Sequence, residues 1–168
     1  MKDKSTYYSY MDSPVGPLML AGSRDTLKVI GFSSGSKARG ADPAWEQWDE
    51  PFKKTRLQLS EYFAGRRKHF DMPLDPEGTE FQLSVLNQLL QIPYGETRSY
   101  KDIAEAIGDV KAVRAVGNAN GNNPLPIVIP CHRVIGSNGS LTGFGGGLEA
   151  KRYLLGLEVS HSGLFEGV

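Results

Sequence analysis

A chain of 168 residues, 39% of them hydrophobic and including seven Phe, seven Tyr and two Trp, is long and apolar enough for one ordinary domain or two small ones with a packed core. Lys and Arg total 19 and Asp and Glu 19; dividing the chain at Gly78 leaves 12 basic and 11 acidic residues before the break and 7 and 8 after it, so neither half is a strongly basic nucleic-acid module. One cysteine and three scattered histidines, without Cys-x-x-Cys or His-x-x-x-His spacing, exclude a disulfide framework and a structural zinc site; the polar opening MKDKSTYYSYMDSP and the want of a long apolar run point to a metal-free protein of the cytoplasm.

In chain order, TYYSYMD, PLMLAG and LKVIGF are short runs separated by the turn sequences SPVG and SRDT, and they predict three antiparallel strands. SSGSKARGADP reads as a mobile loop that marks a change of element rather than a site. From Ala44 to Phe63 the apolar positions Trp45, Trp48, Phe52, Leu59, Tyr62 and Phe63 recur at three- and four-residue steps, which predicts a helix packed on the sheet. MPLDPEG, Met72 to Gly78, stops regular structure with two prolines and a glycine. The expected division is therefore an α/β unit over residues 1–77, a small antiparallel sheet with a helix, and a mostly α unit over 78–168.

Thr79 with Gln82 forms a capping-box pattern ahead of the apolar face Phe81, Val85, Leu86 and Leu89. Ser99 with Asp102 repeats the start signal for a short helix, YKDIAEAIG, that stops at Gly108; a second helix, KAVRAVGNANG, begins at about Lys111. Two short helices with Ala104 at the close-packing position and a glycine at the turn match the helix-turn-helix pattern, although many small helical domains do the same without touching nucleic acid. The second helix offers Arg114, Asn118, Asn120 and Asn123 among the small residues Ala115, Gly117 and Ala119, with Arg98, Lys101 and Lys111 nearby for phosphates. The bland alternative is a solvated polar helix.

The only cysteine stands in PIVIPCHRVIG. Ile127 to Ile129 reads as a buried strand that delivers Cys131 to the floor of a pocket. A lone cysteine is often just a small buried hydrophobe, but an ordinary thiol titrates at about 8.5 and needs a base or a positive field to become a nucleophile, and His132 and Arg133 follow at once. In an extended strand those neighbours point to opposite faces, so they interact only if Pro130 turns the chain or a water bridges them. GSNGSLTGFGGG then reads as a loop folded over the pocket, its glycines supplying backbone N–H groups.

PIVIPCHRVIG together with SYKDIAEAIG, RAVGNANGNNP and SLTGFGGG resembles the O6-alkylguanine-DNA alkyltransferases, single-turnover DNA repair proteins. The match is close over Thr79 to Glu158 and looser over the first third. It implies a ribonuclease H-like first domain and a winged-helix-like second domain. The activity implied is irreversible transfer of the alkyl group from O6-alkylguanine in double-stranded DNA to Cys131, by a monomer and without a cofactor. By resemblance, His132 activates the thiol through a water, Glu158 orients His132, Asn123 braces the cysteine turn and Tyr100 donates to the leaving guanine. Arg114 fills the space of the flipped nucleotide, while Ser99, Ala115, Gly117 and Ala119 face the minor groove, a sequence-independent contact. Pro126, Val134, Leu141, Gly143, Phe144, Gly145 and Gly146 match the guanine pocket; Gly145 stands where the family often has Ser or Ala, so a hydroxyl is lost there. Cysteines of a zinc-bearing sensor domain are absent. Two other readings compete: a recognition module for alkylated DNA that does no chemistry, and a thiol hydrolase or acyltransferase using Cys131 and His132.

Overall fold

The computed structural model describes residues 5–141 and 144–162. Strands β1 (Tyr7–Met11), β2 (Leu18–Gly22) and β3 (Leu27–Phe32) form the expected antiparallel meander, and a short β4 (Glu46–Gln47) adds to the outer side of β1 in parallel, so the sheet is mixed in the order β3-β2-β1-β4. Alternation decides the faces. Tyr7, Met11, Leu18 and Leu20 turn into the main core, while Met19, Ala21 and Val29 make a small cluster on the other face under Tyr8, Ala41 and Trp45.

That second cluster explains why the helix expected from Ala44 begins only at Lys53 (α1, Lys53–Phe63). A helix would stack Trp45 and Trp48 on one side; here Trp45 covers the outer face, whereas Trp48 meets Tyr7 edge-on with ring centroids 4.8 Å apart. Tertiary burial of two indoles on different surfaces overrides the local period. Pro51 then sits in the first turn of a 3₁₀ segment, Glu50–Phe52, whose preceding Asp49 accepts a 2.7 Å hydrogen bond from the buried Ser9 hydroxyl. Phe52, Leu59 and Tyr62 of this segment and helix are buried.

In the second unit α2 (Glu80–Leu89) and α3 (Tyr100–Ala106) both start with complete capping boxes, Thr79 with Gln82 and Ser99 with Asp102. After α3 the N–H of Asp109 reaches the Ala104 carbonyl and that of Gly108 the Glu105 carbonyl, with Gly108 at φ +83°, which is the Schellman ending that a left-handed glycine permits. Helix α4 (Val113–Gly121) packs across α2 and α3, and Ala104 is fully buried where they cross. The winged character comes from β5 (Arg98–Ser99) pairing in parallel with β6 (Val134–Ile135); α5 (Leu148–His161) closes the unit. No described helix is long and apolar enough to cross a membrane.

Ile127 to Ile129 is buried as expected but is not a strand. The Ile129 N–H bonds the Leu125 carbonyl, and Ile127 takes φ +75°, a left-handed conformation that is costly for a β-branched residue. Pro124, Pro126 and Pro130 lack N–H groups on either side, which disfavours a ladder here.

The two units share one core, which runs from Phe52, Leu59 and Tyr62 to Val85, Leu89, Val116 and Leu154. Backbone bonds cross between them as well, from Ile30 N–H to the Pro124 carbonyl (2.9 Å) and from Lys37 N–H to the Gly145 carbonyl (3.0 Å).

Candidate active site

Pro130 does turn the chain. Cys131–Arg133 forms one 3₁₀ turn, and Cys131, 4% exposed, lies on the floor of a cavity of about 310 Å³. Asn123 holds this turn by a Leu125 N–H bond to its Oδ1 (2.9 Å) and by its own Nδ2 to the Ile129 carbonyl (2.8 Å); Asn120 Nδ2 reaches the Cys131 carbonyl at 3.4 Å. The cavity walls include Ile30 and Phe32 of β3, Pro126, Phe144 and Gly145. A second, shallower hollow of about 450 Å³ continues outward past Tyr100 and Gly117 to Arg114, and the two share Ser36, Lys37, Gly121, Phe144 and Gly145. A path therefore runs from the exposed side of α4 down to the thiol.

Beside the thiol lies a buried charge cluster. His132 Nε2 sits 2.6 Å from Glu158 Oε2, and both side chains are buried. Arg133 grips the same carboxylate with Nε at 2.7 Å from Oε1 and Nη2 at 3.1 Å from Oε2, and sends Nη1 to the Ile92 carbonyl. Burial raises the Glu158 carboxyl, but the hydrogen bonds from His132 and Arg133 and the Arg133 charge outweigh it and hold the group well below the usual carboxylate range. His132 is pulled down, chiefly by burial and then by Arg133 and Lys151 against the opposing pull of Glu158, so it is neutral at pH 7. Its Nδ1 is buried with no hydrogen-bond partner among the described residues, a lone pair kept for another proton. Burial pushes the Cys131 thiol up to about 11, with the Asn123 side chain and the Lys151 charge opposing. The resting pair is thus neutral thiol and neutral imidazole.

The structure gathers Cys131, Asn123, Pro126, Phe144 and Gly145 around the inner cavity and Tyr100, Arg114 and Gly117 around its continuation. Ala115 is exposed on α4. Other expected positions fall elsewhere. Ala119 (4% exposed) faces the core because the helical period turns it there with Val116, and the buried Asn120 lines the inner cavity beside Cys131 rather than the exposed side of α4. Val134 is fully buried, its strand paired to Arg98, and lines neither cavity; Leu141 is half-buried and also outside the lining. The Ser99 hydroxyl is engaged as the cap of α3. Gly146 backs onto the Phe32 ring, where a Cβ would come within 2.9 Å, and Gly143 lies outside the described residues. The loop after β3, taken from its composition for a simple boundary, is a wall of the site. A Cβ on Gly35 would strike the Gly145 carbonyl at 2.4 Å and one on Gly145 would meet Lys37 Cβ at 2.8 Å, which accounts for the missing side chain at 145.

Lys151 escaped notice in the sequence. It is fully buried, donates from Nζ to the Val134 carbonyl at 2.7 Å, and its charge lowers the thiol. The signal was there: Lys151, Leu154 and Glu158 follow the three- and four-residue steps of the buried face of α5, which puts two charges at core positions.

Two family models divide the chain. The 6-O-methylguanine DNA methyltransferase DNA-binding domain matches residues 80–160 and the ribonuclease-like domain of the same proteins matches residues 6–76. The class defined is a helical DNA-binding domain joined to a ribonuclease-like one. A methylated-DNA–protein-cysteine methyltransferase of Methanosarcina acetivorans is 53% identical over 154 residues, which cover 92% of this chain and 99% of that protein. One of Mycobacterium tuberculosis is 48% identical over 159 residues, covering 93% and 94%. A crystal structure of the M. tuberculosis protein in complex with DNA superposes with a TM-score of 0.87 at 48% identity, over 92% of this chain and 94% of that one. The chain belongs to the 6-O-methylguanine DNA methyltransferase family. Its function is DNA repair by transfer of an alkyl group from methylated DNA to a protein cysteine, and DNA is its partner.

Proposed function

We propose that Cys131 is the acceptor, that the path from α4 admits a nucleotide flipped out of double-stranded DNA, and that each molecule reacts once. The carrying observation is that this chain has a single cysteine and that it forms the floor of a cavity continuous with the exposed side of α4. In the step, His132 Nδ1 takes the thiol proton through a water, and Sγ attacks the saturated carbon on O6. The S–C bond forms as the C–O bond breaks, and the electron pair passes into the guanine, where the Tyr100 hydroxyl donates to the developing charge. Glu158, already ionised, stabilises the imidazolium. With no second thiol in the chain to displace it, the thioether is permanent.

Flipping is required because the alkylated oxygen otherwise lies inside the duplex. Arg114, exposed at the outer end of the path, occupies the vacated place, and Ala115 and Gly117 let α4 approach the sugars of the minor groove. A zero net charge favours contact by shape, without base-specific reading and with a modest salt dependence. The reading divides the chain at residue 77 into a supporting and a reacting unit, acting as a monomer, and a reducing compartment such as the cytoplasm keeps the thiol ready.

Intact-mass spectrometry after incubation with a duplex bearing one O6-methylguanine tests this: one methyl gained, on the Cys131 peptide, saturating at one per protein. Unchanged mass with retained lesion binding would leave a recognition protein. Arg114→Ala should slow repair of the duplex roughly tenfold or more while leaving reaction with free O6-alkylguanine unaltered. An equal loss on both substrates would remove its flipping role.

A further inference from the structure

We propose that Tyr62, from the ribonuclease-like unit, is a positioning residue of the alkyl-transfer relay, acting through Glu158 on the basicity of His132. The inference rests on the reading of Cys131 and His132 given above.

Tyr62 lies 96 residues before Glu158, yet its hydroxyl donates to Oε2 at 2.5 Å, the same oxygen that His132 Nε2 meets at 2.6 Å. The ring has no exposed surface and is packed by Phe63, Phe70 and Tyr94 at centroid distances of 5.4, 5.4 and 6.3 Å, so the hydroxyl has no other place to go. Burial, and then the Glu158 charge, raise the Tyr62 phenol well above its usual value, which fixes it as a donor. The ionised Oε2 only accepts, so His132 Nε2 carries the hydrogen between them, and Tyr62 is a second donor competing for the same oxygen. Nδ1 is then the unprotonated nitrogen, the atom the transfer step needs.

The bond also sets strength. Oε2 divides its charge among Tyr62, His132 and Arg133 Nη2, while Oε1 serves Arg133 Nε and, at 3.4 Å, the Gly95 N–H. Without the Tyr62 donor, more of the carboxylate's field falls on the His132 proton and the imidazole becomes more basic. A more basic His132 takes up a solvent proton at higher pH and stops accepting one from the thiol. The other charged and titratable groups facing the cluster, Cys131, Arg133 and Lys151 beside His132 and Tyr94 and Arg133 beside Tyr62, are the same in both proteins and cannot mimic this change.

Tyr62→Phe keeps the ring and deletes the bond. Single-turnover transfer to the variant should be slowed about tenfold at pH 6 and less than about threefold at pH 8.5, the acid limb moving to higher pH. A loss of equal size at every pH, or no loss, would overturn the proposal, since a hydroxyl that only stabilises the fold lowers the active fraction uniformly. Tyr94→Phe removes a neighbouring buried hydroxyl that bonds no described residue; it should show no pH-dependent loss, and the same shift there would also overturn the proposal. ¹⁵N NMR of the His132 ring gives a readout that needs no DNA: its titration midpoint should rise in Tyr62→Phe, and an unmoved midpoint sinks the idea. Failure of wild-type protein to gain a methyl would instead sink the reading of Cys131 itself.

Discussion

Cys131→Ser should lose alkyl transfer by at least ~10³-fold while binding lesion-bearing duplex within about threefold of wild type. Serine is nearly isosteric, and the thiol sits at the buried floor of the cavity away from the exposed side of α4, so neither the fold nor the DNA-facing side of α4 changes. What changes is acidity. His132, held neutral and only weakly basic, can draw a proton from a thiol as the S–C bond forms, but an alcohol is several orders of magnitude less acidic. Intact mass reads the transfer and fluorescence anisotropy the binding. A serine variant that still gains a methyl would show that the acceptor chemistry lies elsewhere.

The second large effect falls on stability. Glu158→Ala strands the Arg133 guanidinium and removes the acceptor shared by His132 and Tyr62, an uncompensated buried charge that should lower unfolding free energy by about 3–5 kcal/mol and Tm by roughly ten degrees. Because folding depresses the Glu158 pKa, its contribution is complete above the ordinary value of 4.5 and is lost as pH falls through the depressed one. The gap between wild type and variant should narrow progressively below about pH 4.5. A gap independent of pH, followed by urea unfolding, would mean that packing rather than charge accounts for the loss.

Much of the architecture was legible because local signals agreed with the fold: both capping boxes, the glycine ending of α3 and the three-strand meander all formed as read. The failures share a cause. Trp45 and Trp48 keep a helical period yet bury on different faces of the sheet, and Ile127 to Ile129 has strand composition but is turned by its own Ile129 N–H bond to Leu125 and the left-handed Ile127. Ala119 looks like a groove-facing residue until α2 and α3 show which side of α4 is inward. At the site, PCHRV advertised the thiol and its neighbour, but Tyr62 and the loop at Gly35 come from the other unit, and no local pattern reports a contact made across 96 residues.

A reagent that is consumed in one reaction has to keep for as long as the protein waits for its lesion. With burial pushing the thiol up to about 11, little of it is thiolate at pH 7, and oxidation to sulfenic acid proceeds from the thiolate. On the proposed reading, the burial that makes Cys131 a reluctant nucleophile also preserves it, because a thiol with little thiolate reacts slowly with peroxide and soluble alkylating agents.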